Sequence, residues 1–101
     1  MRTWMTKLVA GVLAVGVSQV AFAAEVDRRE ALQEARIQQG VRSGALGPRE
    51  AARLQAREAS IQNQVAVERA QNGGKLTRAE RRQVNRRLNR TSRAISREKH
   101  D

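Results

Sequence analysis

Five arginines near the C-terminus, Arg82, Arg86, Arg90, Arg93 and Arg97, are spaced three or four residues apart. On a helix turning about 100° per residue, they share one side. Val84, Leu88, Thr91 and Ile95 fall in a narrow arc opposite, with Arg78, Arg81 and Arg87 on the flanks. Guanidinium is planar and donates two parallel N–H bonds to phosphate or carboxylate, so such a band suits a polyanion better than lysines would. The bland use of the same face is a solvated surface that keeps a small domain in solution.

Other chemistry has little to build on. The single histidine, His100, is the penultimate residue, and there is no cysteine. A lone terminal imidazole cannot be held within about 3 Å of a partner for proton transfer, and it cannot form a metal site by itself. Glu50, Glu58, Glu68 and Glu80 each have arginines one, three or four positions away, which reads as helix-start and salt-bridge use. No catalytic residue, cofactor or metal ligand is therefore expected.

The elements that must carry the arginine band are signalled by capping residues. Thr77 and Glu80 form a Thr-x-x-Glu capping box, and Pro48 follows Gly47 at a favourable first helical position. Ile37 to Leu54 aligns on Val67 to Val84 at a shift of 30 residues, matching Gly44, Leu46 and Glu50 to Gly74, Leu76 and Glu80. Each copy reads as a helix ending at glycine, a leucine tucked under the turn, and a new helix. Ala51, Leu54, Ile61 and Val65 form a stripe interrupted by Glu58, while Val26, Gln33, Ile37 and Val41 form a weaker one. The spacing predicts three helices, over about 26–42, 48–71 and 78–98. Nothing alternates like a strand.

The N-terminus reads as an export signal. Arg2 and Lys7 precede the apolar run Leu8 to Val17, and Ala21-Phe22-Ala23 is a small-x-small cleavage site. Cleavage before Ala24 leaves a mature domain, 24–101, of about 78 residues after the 1–23 leader. The apolar run is shorter than the about 20 residues of a membrane span, so no integral span is expected after cleavage. The periplasm is the expected destination, with secretion the alternative. Both aromatic residues, Trp4 and Phe22, belong to the segment removed.

Charge and core size set further bounds. Residues 24–74 carry eight arginines against seven acids, whereas residues 75–101 carry ten Lys or Arg against three acids. The cationic character belongs to the last helix. A chain of this length has a thin core, since domains below about 80 residues are marginal even when well packed. Anionic lipid, lipopolysaccharide and nucleic acid are all partners that a basic helix could attract without specificity. Base stacking has no aromatic residue to use in the mature chain, and the apolar stripe of the third helix is too narrow for bilayer insertion. A protein partner is the other class; oligomeric state is not encoded in any feature of the sequence.

The Gly-x-Leu-x-x-x-Glu repeat resembles the second half of an EF-hand loop, with Gly44, Leu46, Glu50 and Gly74, Leu76, Glu80 at its sixth, eighth and twelfth positions. The ligand positions of the first half are instead Gln39, Val41, Ser43 and Arg69, Gln71, Gly73, so the resemblance implies a degenerate loop without calcium. The overall type, with Leu76-Thr77-x-x-Glu80-Arg81 and a basic helix ending at Lys99-His100-Asp101, also looks like small exported helical proteins of Gram-negative bacteria. Leu76-Thr77-Arg78-Ala79-Glu80 loosely resembles the Leu-Thr-x-x-Gln motif of exported stress-responsive helical chaperones.

The expected protein is all-α: a small three-helix domain, two helix-turn-helix repeats sharing the middle helix, after a cleaved signal peptide. Its expected function is non-enzymatic binding of polyanions or anionic envelope surfaces. The alternative is a periplasmic protein-binding or chaperone-like module that uses apolar stripe residues on a loosely packed helical hairpin.

Overall fold

A computed structural model describes the backbone of residues 2–100 and the side chains of residues 19–100. Three helices follow one another: α1 (Arg2–Ser43), α2 (Pro48–Gln71) and α3 (Arg78–Lys99). No strand occurs among the described residues. The short connections place neighbouring helices antiparallel, so α1 and α3 run in the same direction with α2 against both. Cross-helix bonds record this order: Glu34 of α1 meets Gln55, and Glu30 meets Gln62.

The predicted starts and stops are present. Gly47 precedes Pro48 at the first turn of α2. Thr77 Oγ1 accepts from Glu80 N–H at 3.1 Å while the Glu80 carboxylate accepts from Thr77 N–H at 2.8 Å, closing the capping box of α3. Gly44 and Gly74 adopt φ of +79° and +89°, the left-handed region where a side chain is strained. Beyond each, a leucine turns inward: Leu46 and Leu76 are both 3% exposed.

Those two leucines belong to two apolar clusters. Leu46 packs with Ile37, Ala51, Leu54, Ala94 and Ile95; Leu76 packs with Phe22, Val26, Ile61, Val65, Val84 and Leu88. Each repeat therefore supplies the leucine for one cluster. Buried polar groups accompany them: Glu30, Gln33, Glu58 and Thr91. Gln33 donates to the Leu88 carbonyl at 2.9 Å, and Thr91 donates to the Arg87 carbonyl at 3.0 Å, which offsets the desolvation of Thr91 and part of that of Gln33, whose Oε1 has no partner.

Three local expectations need correction. The first helix was expected from about residue 26, but it runs without a break through Ala21, Ala23 and Ala24. Val41, expected on the buried stripe, is 44% exposed. Gly40 takes the buried position because Leu46 folds back over it; a Cβ there would lie 2.6 Å from Leu46 Cδ1, and the Leu46 N–H bonds the Gly40 carbonyl at 3.0 Å. Glu58 does not interrupt the buried stripe of α2 as a solvated charge; it is 6% exposed and part of the interior.

Candidate functional site

The third helix is built to present its arginines. The capping box fixes its first turn, and Val84, Leu88, Thr91, Ala94 and Ile95 are buried against α1 and α2. That fixes the helix rotation, and the opposite side faces solvent. Arg82, Arg86, Arg90, Arg93 and Arg97 are all exposed. At about 1.5 Å rise per residue, the band from Arg82 to Arg97 is about 22 Å long.

Basic residues on the flanks behave differently. Arg87 bonds Gln64 and Ser60 of α2, the latter at 2.7 Å. Arg36 of α1 reaches Ser92 and Ser96 Oγ at 3.1 and 2.7 Å, Arg29 bonds Asn89, and Lys99 donates to the Arg36 carbonyl at 3.0 Å. These cations tie helices together. Among the described residues, no hydrogen bond or ion pair engages the guanidinium groups of the five arginines of the band. Their donors are left for water or an external anion.

The structure adds residues that helical spacing alone did not bring to this site. Arg53 and Arg57 of α2 join Arg87 and Arg97 along a groove between α2 and α3, with Glu50 and Glu98 at its rim. Arg53 lies 4.0 Å from Glu98 across that groove, an exposed pair that contributes little to stability. On the α1 side, Arg78, Arg81 and Arg82 line a second groove with Phe22 and Glu25, and the Arg81 guanidinium sits 6.0 Å from the Phe22 ring centre. Arginines spaced four apart on α2 were a visible signal, but which helix they would face depended on the packing.

The remaining sequence-derived positions are placed as follows. Ala21 and Ala24 are exposed and Ala23 half-buried on α1, with Phe22 between them at 7% exposure. The side chains of Leu8 to Val17 lie outside the described residues. Among the described residues, no helix is long and apolar enough to cross a membrane, and no group of His, Cys, Asp and Glu is placed to hold a metal ion. In the EF-hand comparison, Gln39, Val41 and Ser43 lie on the last turns of α1, while Arg69 and Gln71 lie on the last turn of α2. Those positions follow helical backbone rather than wrapping a common centre.

A different set of titratable groups gathers between α1 and α2. Glu30 and Glu58 are each 6% exposed beside half-buried Glu34. Burial, reinforced by the Glu34 and Glu30 carboxylates, pushes the Glu58 carboxyl up to about 8. Burial also raises Glu30, against a hydrogen bond from Gln62, while a hydrogen bond from Gln38 holds Glu34 below its ordinary range. Near neutral pH Glu58 is thus largely a neutral acid, bonded to Glu34. The sequence assigned it to a salt bridge, but no ion pair to Glu58 is present among the described residues. Comparison of the chain with protein-family models, curated proteins and solved structures finds no match.

Proposed function

We propose that this is an exported, non-enzymatic helical protein whose third helix captures polyanions by charge. The observation that carries this reading is the contrast between two sets of cations. Arg29, Arg36, Arg87 and Lys99 make cross-helix bonds, whereas the five arginines of the band are exposed. A guanidinium already held by the protein gains little from an anion; one that is solvated and spaced along a rigid helix can exchange water for phosphate oxygens.

The class of ligand follows from what the face lacks. It carries no aromatic side chain for stacking on bases. Attraction is therefore nonspecific, and it extends to anionic lipid, lipopolysaccharide and nucleic acid. The proposed compartment is the periplasm, where the leader would deliver the chain.

The chaperone-like alternative requires apolar stripe residues at the surface. In the closed bundle Leu54, Ile61, Val84, Leu88 and Ile95 are at most 2% exposed, while Val41 is 44% exposed, so exposing the body of either stripe needs the domain to open, whereas charge capture does not. Binding to heparin or to anionic vesicles across a salt series tests the proposal. If all five arginines engage a double-stranded polyanion, the logarithm of the affinity should fall with that of salt at a slope of about −4 to −5.

A further inference from the structure

The arginine band leaves unexplained the acid-lined groove between α1 and α2. It encloses about 430 Å³ and is lined by Asp27, Glu30 and Glu34 of α1 with Gln55, Glu58 and Gln62 of α2. Four carboxyl groups converge in a protein of net charge +10, with no Lys, Arg or His in the lining. Nearby cations are directed elsewhere: Arg29 and Arg36 bond α3, and Arg57 lines the α2–α3 groove.

Two buried acceptors in this groove have no donor. Glu30 Oε2 accepts from Gln62, but Glu30 Oε1 and Glu58 Oε2 are buried and no protein donor reaches either. An acceptor left in that state costs about 1–3 kcal/mol, and more when charged. Asp27, Gln55 and Gln62 of the lining are exposed, so the groove opens to solvent beside them.

We propose that the α1–α2 groove is a binding site for a guanidinium group, held by Glu30, Glu34 and Glu58. The acids are not placed for a metal ion, which needs oxygens gathered within a short radius. A guanidinium is broader and carries N–H donors around its plane, so it can bridge carboxylates on two helices and satisfy both open oxygens. The shared chemistry has two sources: a free guanidinium compound, or an arginine from the exposed band of a second copy of this chain. The positive ligand favours the ionised acids, so binding expels the proton that Glu58 carries and strengthens as pH rises. The charged groups facing Glu58 in the lining are Asp27, Glu30 and Glu34; α3 contributes no residue to it.

The test is calorimetric titration of the full chain with methylguanidine and agmatine at low salt, repeated from acid to alkaline pH. Saturable one-site binding with proton release is expected. Glu30→Gln and Glu58→Gln should each weaken it about tenfold or more, while replacing Arg82, Arg86, Arg90, Arg93 and Arg97 by Gln leaves it in place. Both changes keep side-chain shape, and circular dichroism verifies the fold; Glu34→Gln, at a half-exposed position, supplies a further variant. Sedimentation velocity separates the sources. Self-association reversed by agmatine identifies the arginine of a second copy, and a monomer that binds agmatine identifies a free compound. No saturable binding at any pH, or binding indifferent to all three glutamine variants, overturns the proposal.

Discussion

The side-chain amide of Gln19 pairs with the backbone of Leu76. Its Nε2 donates to the Leu76 carbonyl at 3.1 Å, and its Oε1 accepts from the Leu76 N–H at 3.1 Å. The turn before α3 is thereby held by a residue that the sequence assigns to the leader. Phe22, one turn later, enters the same apolar cluster as Leu76. Cleavage before Ala24, if it occurs, would remove both contacts from this end of the bundle.

Cleavage before Ala24 is expected to leave a domain that melts below the same chain beginning at Gln19. Loss of a buried Phe side chain typically costs about 3–5 kcal/mol, and a terminal position should bring the effect toward the lower figure. Thermal melts of chains 19–101 and 24–101 measure the difference, and N-terminal sequencing of the protein recovered from cells identifies which is made. Equal midpoints would contradict the role given to Gln19 and Phe22.

Thr77→Ala should destabilise the domain by about 1 kcal/mol through loss of the cap on α3. For a domain of this size that corresponds to a midpoint lowered by about 4–8 °C. Circular dichroism melts decide it, and Thr77→Ser, which keeps the hydroxyl, should recover most of the loss.

How much of this was legible in sequence depends on the range of the cause. Caps and turns act over three or four residues, so Thr77, Glu80, Pro48, Gly44 and Gly74 announced their roles, and the α3 stripe sorted Val84 from Arg82 by periodicity alone. The exchange of Val41 for Gly40 was hidden because it depends on Leu46 returning over the helix. Glu58 was misread for a similar reason: its neighbours in sequence are arginines, but its neighbours in space are Glu30 and Glu34. The place of Phe22 in the core was masked because Ala21-Phe22-Ala23 reads as a cleavage site.

The buried acid gives a pH dependence of definite sign. Glu58 titrates near 8 in the folded protein against 4.5 as its ordinary value, so the folded state holds the extra proton between those limits. Its stabilising contribution is fully present below about pH 4.5 and is lost as pH rises through about 8. Glu58→Gln should therefore match the natural protein near pH 4 and exceed it above pH 8, by an amount on the order of 1–3 kcal/mol. Urea unfolding at both pH values checks this; a variant less stable at high pH would show that the Glu58 charge has a cation partner.

The central claim is that the placement of the arginines, rather than the total charge, governs polyanion capture. Its most direct measurement is heparin retention across a salt series for two variants of equal charge loss. One replaces Arg82, Arg86, Arg90, Arg93 and Arg97 by Gln; the other replaces Arg28, Arg42, Arg49, Arg69 and Lys75, which lie outside α3. With helicity verified for both, the first variant should lose most of the salt-sensitive retention and the second should keep most of it. Equal weakening by the two sets would contradict the account and leave the arginine face as a solvated surface.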